Sequence, residues 1–133
     1  MTVAEKLVAL LKAQGLTCAT AESCTGGGVG SAITAVPGSS AVFAGGIISY
    51  ANEVKRDVLG VAAQALDEYG AVSLTGIAGP DGGSDEKPVG LVWFGLATKD
   101  GVRTEKVIFR GDRAKVREQA ITHALGMLTI GAA

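Results

Sequence analysis

Ser23 and Cys24, with Thr25 and three glycines directly behind them, are the residues of this chain best placed to do chemistry. They fall within A-E-S-C-T-G-G-G-V-G at 21–30, where an apolar, β-prone run (16–20) hands over to a small-residue helical pattern (31–36). At such a handover the unpaired N–H groups and the positive end of a helix dipole point back at whatever binds there. Glycines let the backbone approach a ligand closely and adopt positive φ without strain. Two chemistries suit that geometry: an anion site, or a nucleophile beside an oxyanion hole. A serine needs a neighbouring base to take its proton. A thiol at a helix start has a route to a depressed pKa and attack as thiolate, which makes Cys24 the rival of Ser23, although a small buried hydrophobe is the plainer role for it. A tight turn with small residues for helix–sheet packing is the plain alternative for the whole stretch. The P-loop pattern fails because no Lys follows the glycines. The dinucleotide fingerprint fails because Gly26, Gly28 and Gly30 give G-x-G-x-G, with Ser31 where the last Gly belongs. The sole histidine, His123, falls on the predicted last helix, so no Ser-His-Asp set is evident, and it reads as a helix-face residue without chemistry.

The elements that must position this loop follow from periodicity and punctuation. Thr2-Val3-Ala4-Glu5 is a capping box, and Val3, Leu7, Leu10 and Leu11 form a helical stripe that Gly15 stops. A strand is predicted over 16–20, then the loop, then a helix capped at Thr25 and ending before Pro37. Pro37-Gly38-Ser39-Ser40 is a turn. The run 42–50 reads as a second strand, with Gly45 and Gly46 marking a bulge or a close backbone approach. Asn52 caps a predicted helix ended by Gly60, and a further short helix covers 62–69. Residues 81–88 are too polar and glycine-rich for anything but a loop. Strands over 89–98 and 102–110 flank the hairpin turn Lys99-Asp100-Gly101. Asp112 caps a final helix whose stripe is Val116, Ala120, Ile121, Ala124, Met127 and Leu128. Strands alternating with helices, then a hairpin, predict a single-domain α/β fold over 1–133, a three-layer α/β/α sandwich with a mixed sheet.

Composition narrows the function classes. The 133 residues are 47% hydrophobic but only 5% aromatic, so the core is aliphatic, and their number suffices for one real core. Thirteen acidic against twelve basic residues leave a net charge of −1, without the basic excess that phosphate neutralisation needs, so nucleic acid is not an expected partner. There is no basic amphipathic segment and no run of eighteen apolar residues, so no membrane association is expected. Glu5, Lys6 and Lys12 interrupt the first apolar pattern, which does not read as a signal peptide; a cytoplasmic domain is the expectation. Cys18 and Cys24 are expected to stay thiols, and one histidine without a cysteine cluster makes an intrinsic zinc site improbable.

Three stretches in fixed order, A-E-S-C-T-G-G at 21–27, Y-A-N-E-V-K at 50–55 and T-G-I-A-G-P-D-G-G at 75–83, resemble the CinA C-terminal domain family. Pro37 to Ala41, Glu86 to Gly90 and Gly111-Asp112-Arg113 match the same pattern, so the resemblance covers nearly the whole chain. No stretch resembles the larger molybdopterin-binding-like domain that precedes this one in full-length CinA proteins. The resemblance implies hydrolysis of the carboxamide of nicotinamide mononucleotide, without a cofactor, giving nicotinate mononucleotide and ammonia. It implies Ser23 as nucleophile with Tyr50 and Lys55 assisting. Cys24, Thr25, Gly26 and Gly27, with Thr75, Gly76 and Arg113, are then the candidate substrate contacts. The chemistry is self-consistent: a lysine base must be neutral near pH 7, so its pKa has to fall from ~10.4 to roughly 7–8 through burial or nearby cations. Backbone N–H groups at 24–27 are the candidate oxyanion hole. The five-residue spacing of Tyr50 and Lys55 also differs from the Tyr-x-x-x-Lys of short-chain dehydrogenases. Family habit and the hydrophobic last helix imply a homo-oligomer, a dimer being the simplest. The alternative reading is a competence-linked module that binds a nucleotide or a protein partner without turnover.

Three departures from the family pattern matter. Gly45-Gly46 stands where Arg-Gly is common, removing a charge near the substrate, and Ala51 replaces the usual Ser. Between G-A-V-S and T-G-I-A-G-P, members carry a further helix and the strand leading into the second motif, whereas here Ser73 runs straight into Leu74 and Thr75. Either a helix has been lost or the chain is interrupted. The sequence favours interruption and predicts a Ser73–Leu74 Cα separation well beyond the ~3.8 Å of a trans peptide.

Overall fold

The computed structural model describes residues 1–50, 70–98 and 100–132. Helix α1 (Val3–Gln14) begins where the side chain of Thr2 accepts the Glu5 N–H at 3.1 Å. It ends at Gly15, whose φ of 66° completes a Schellman cap: Gly15 N–H donates to Lys12 O and Leu16 N–H to Leu11 O. That cap uses Leu16, so strand β1 is Cys18–Glu22, two residues later than predicted. Helix α2 is Gly28–Thr34, and a 3-10 turn (Ser39–Ala41) leads into β2, Phe43–Ile48. Strands β3 (Gly70–Gly76), β4 (Leu91–Thr98) and β5 (Gly101–Ile108) follow, then helix α3 (Arg113–Ala132), capped by Asp112, which accepts the Lys115 N–H at 2.9 Å. Lys99 in the β4–β5 turn lies outside the described residues.

The five strands stand in the order β2-β1-β3-β4-β5. β1 runs parallel to both β2 and β3, while β3–β4 and β4–β5 are antiparallel, so the sheet is mixed as expected. Helices α1, α2 and α3 pack together against one face, burying Leu7, Val29, Ile33, Val72, Val92, Phe94 and Val116. The buried α3 stripe is Val116, Ala120, Ala124, Leu125, Met127 and Leu128, with the expected Ile121 only partly buried at its edge. The helices predicted at 52–60 and 62–69, which would supply the opposite layer, lie outside the described residues.

The paired glycines of β2 serve both suggested purposes. Cys18 pairs with Phe43 and Ala19 with Gly45, a bulge that skips one residue. A Cβ at Gly46 would collide with Thr20 Oγ1. At 73–74 the prediction is corrected. Ser73 pairs with Ala21 and Leu74 with Glu22 on successive rungs of one unbroken ladder, so β3 runs through the junction. The physical reason is that A-V-S-L-T keeps strand alternation across the join: Val72 and Leu74 are buried under the helices while Ser73 and Thr75 stand on the other face.

Candidate active site

The topology fixes where a ligand belongs. The connection after β1 runs through α2 to β2 on one side, and β3 continues to β4 on the other. The crevice at the carboxyl ends of β1 and β3 is therefore a topological switch point. Ser23 follows the last residue of β1, and Thr75-Gly76 closes β3, so the two motifs meet there.

The loop 23–27 is held from within and from two sides. Gly26 N–H donates to Ser23 O and Gly28 N–H to Thr25 O, each at 2.9 Å. Gly26 (φ 60°) and Gly27 (φ 98°) are both left-handed, which is why glycine is needed here. From α3, Arg117 donates through Nε to Cys24 O at 3.1 Å and through Nη2 to Thr25 O at 3.2 Å. From β1, the buried Glu22 carboxylate accepts Thr25 Oγ1–H at 2.7 Å, Val29 N–H at 2.8 Å and Gly30 N–H at 2.9 Å.

Glu22 revises two expectations. Thr25 is not the helix cap: Gly27 holds that position, and the Thr25 hydroxyl donates to Glu22. The first turn of α2 does not offer its N–H groups to a ligand either, because the carboxylate of Glu22 already takes those of Val29 and Gly30. The negative end of that arrangement comes from the protein itself, which matches the preference of helix N-termini for carboxylates. Among the described residues, the Thr25 and Gly27 amides make no hydrogen bond. An acidic residue just ahead of a glycine-rich helix start was the available sequence signal for Glu22. Arg117, beside the apolar stripe of the last helix, carried none.

Ser23 is 6% exposed and lines a cavity of ≈ 220 Å³ together with Ser49, Ser73, Thr75, Trp93 and Thr104. Cys24 is buried next to it. Tyr50 lies just beyond β2, 62% exposed, with its hydroxyl 3.4 Å from Arg113 Nη2. Arg113 also donates from Nη1 to Gly79 O at 2.9 Å, so one guanidinium spans the end of β2 and the 75–83 loop. Gly76 is explained by packing: a Cβ there would strike Leu91 O and the Val92 backbone. Lys55 lies outside the described residues, as does Ala51. The structure thus brings Ser23 and Thr75 to one cavity, and joins Tyr50 and the 75–83 loop through Arg113.

Other candidates sit elsewhere. His123 Nε2 is 2.6 Å from Glu105 Oε1, and its ring packs against Phe94 and Phe109. Cys18 and Cys24 form no disulfide, and burial pushes the Cys18 thiol up to about 11. Among the described residues, no three His, Cys, Asp or Glu side chains form a group able to hold a metal ion, and no helix is long and apolar enough to cross a membrane.

A family model described as the CinA C-terminal domain matches residues 1–74 and 71–130. The nicotinamide-nucleotide amidohydrolase PncC of Escherichia coli (strain K12) is 44% identical over 151 aligned residues, covering 96% of this chain and 92% of that protein. A putative competence-damage inducible protein of Halothermothrix orenii is 50% identical over 131 residues, covering 81% of this chain but 32% of its own length. Thus the chain corresponds to about a third of that longer relative. Among solved structures, the competence/damage inducible protein CihA of Agrobacterium tumefaciens superposes with a TM-score of 0.89 at 35% identity, covering 98% of this chain and 94% of that one. A competence or damage-inducible protein of Enterobacter asburiae superposes at 0.91 with 27% identity, covering 100% and 99%.

Proposed function

The chain belongs to the CinA C-terminal domain family, and from that membership we propose that it is a nicotinamide-nucleotide amidohydrolase, converting nicotinamide mononucleotide and water to nicotinate mononucleotide and ammonia. The observation that carries this reading is the position of Ser23, nearly buried yet lining a cavity at the switch point of the sheet. Ser23 Oγ attacks the carboxamide carbon and gives its proton to a base. The tetrahedral intermediate collapses with loss of ammonia, and water then cleaves the resulting ester to release the carboxylate. Lys55 is the base, with Tyr50 relaying or polarising, as family resemblance assigns them. The Thr25 and Gly27 amides are the candidate oxyanion donors. One such donor is typically worth ~10²–10³ in rate. Cys24 packs as a small hydrophobe: the α2 amides that would stabilise a thiolate already bind Glu22.

The test is ammonia release from nicotinamide mononucleotide by the purified protein and by Ser23→Ala, Lys55→Ala and Cys24→Ala. Loss of turnover in the first two variants with retention in the third is the expected result. Loss confined to Cys24→Ala moves the nucleophile by one residue. A wild-type protein that binds the nucleotide and releases no ammonia overturns the amidohydrolase reading in favour of a binding module.

A further inference from the structure

Strand β5 forms one edge of the sheet, and among the described residues no strand pairs with its outer side. It is eight residues long, carries no proline and keeps an unbroken register with β4. Such an edge offers a row of unpaired N–H and C=O groups, which proteins otherwise blunt with a bulge, a proline or a very short strand. The opposite edge, β2, has that protection in its bulge beside Gly45.

Which groups of β5 face outward follows from the ladder. Phe109 N–H donates to Gly90 O at 2.9 Å, on the rung next to the Leu91–Ile108 pair. Antiparallel strands alternate, so the odd-numbered residues of β5 give their backbone groups to β4, while Val102, Thr104 and Lys106 turn theirs outward. The side chains sort by face in the same way. Glu105 reaches His123 of α3 and Val107 packs on the core, whereas Thr104 lines the Ser23 cavity and Lys106 stands over Trp93 on the other face. Arg103 shares the helix side with Glu105, is exposed, and makes no hydrogen bond or ion pair among the described residues.

We infer that the β5 edge pairs antiparallel with the β5 edge of a second copy, about a two-fold axis at Thr104. A two-fold contact has to be complementary to itself. With Thr104 opposite the partner's Thr104, Arg103 stands opposite the partner's Glu105, and Glu105 opposite the partner's Arg103. Opposite charges facing each other across two strands are favourable, and like charges are not. Moving the axis one residue back sets Arg103 against the partner's Arg103, and one residue forward sets Glu105 against the partner's Glu105, so charge selects the register between them. His123 engages Oε1 of Glu105, which leaves Oε2 for the incoming guanidinium. The outward groups of Val102, Thr104 and Lys106 meet those of the partner's Lys106, the partner's Thr104 and the partner's Val102. Val102, 77% exposed, is then covered by the aliphatic stem of the partner's Lys106. The axis is perpendicular to the sheet, so two five-stranded sheets become one, with both Ser23 cavities on the same face. A contact one strand edge wide is at the small end of specific interfaces, so the dimer is concentration-dependent. It needs no catalytic role for Ser23 and is read without substrate.

Sedimentation velocity of the whole chain over a wide concentration range, at low and high salt, measures the association. The native protein is expected to pass from monomer to dimer, with the midpoint moving to higher concentration as salt rises. Arg103→Glu and Glu105→Arg are each expected to raise the dissociation constant about tenfold or more, because two attractive cross-strand pairs become repulsive. Mixed in equal amounts, these two variants are expected to form a heterodimer, since one edge is then wholly acidic and the other wholly basic on that face. Thr104→Pro, which removes an outward N–H and spares the β4 ladder, is expected to prevent association. Thermal melts followed by circular dichroism check that each variant is folded. A native protein that stays monomeric overturns the inference. So does a dimer left unchanged by both Arg103→Glu and Thr104→Pro, which places the contact elsewhere. Folded charge variants that do not associate on mixing overturn the register.

Discussion

Replacing Glu22 by Gln tests whether a buried carboxylate organises the nucleophile loop. The native group is nearly inaccessible and accepts three short hydrogen bonds, two of them from the first turn of α2. Glutamine keeps the shape but has one acceptor oxygen. If that oxygen serves Thr25 and Val29, the amide NH₂ faces the Gly30 N–H, donor against donor. A buried donor left without a partner costs ~1–3 kcal/mol, and bonds to a neutral acceptor are about half as strong as those to a charged one. Removing a negative charge from a helix N-terminus adds ~0.3–1 kcal/mol. The expected destabilisation is therefore about 2–4 kcal/mol, which lowers Tm by about 10 °C for a chain of this size. Thermal unfolding followed by circular dichroism measures it, with Glu105→Gln as the control. Glu105 is 40% exposed in its pair with His123, so that change is expected to stay within about 0.5 kcal/mol. A Glu22→Gln variant as stable as the control refutes the reasoning, because the α2 amides would then have found other partners at no cost.

Arg117→Met removes both bonds to the carbonyls of Cys24 and Thr25. It is expected to lower kcat for ammonia release about 10–100-fold with a small change in KM, the cost of a loop misplaced by about 1 Å, while Arg117→Lys recovers part of the loss. An unchanged kcat in Arg117→Met contradicts a positioning role. Gly27→Ala puts an L-residue at φ 98° with its Cβ 2.8 Å from Ile48 Cδ1, and a loss of roughly 1–3 kcal/mol in chemical denaturation is expected. The Cys18 thiol ionises near its ordinary 9.0 in the unfolded chain but at about 11 in the folded one. The unfolded state therefore binds fewer protons between those values, so the contribution of Cys18 to stability is full below pH 9 and is lost as pH rises towards 11. Urea midpoints at stepped alkaline pH are expected to fall more steeply in the native protein than in Cys18→Ala; parallel slopes contradict it.

The sequence was most legible where one local interaction decides the structure. Thr2 and Gly15 bracket α1, Asp112 caps α3, and the glycine pair in β2 marks a bulge because each position has a single steric or hydrogen-bonding reason for its residue. It was least legible where a polar side chain chooses among distant partners. Thr25 has the right side chain for a cap, yet Glu22 reaches the α2 amides seven and eight residues ahead and turns Thr25 into a donor. Arg117 reaches the loop across more than ninety residues, a contact no periodicity encodes. Trp93 fits plain strand alternation, and only the sheet places it beside a serine from the first loop.

The join at 73–74 shows the opposite balance, with local rules settling a question about the whole fold. The two family-model matches share residues 71–74, so those four residues align at two places of the family pattern. The alignment with the Escherichia coli relative spans 151 residues against the 133 of this chain, so it includes positions that this chain skips. What survives still makes one strand because strand pairing is indifferent to which parent segment a residue comes from and strict about parity. One residue more or fewer at the join would turn Leu74 to the outer face and Thr75 under the helices, exchanging a buried aliphatic for a buried hydroxyl along the rest of β3. With the parity kept, Val72 and Leu74 stay in the core, β3 remains paired on both edges, and Thr75 arrives at the cavity that Ser23 lines. The positions that this chain skips are therefore not needed to build this end of the sheet.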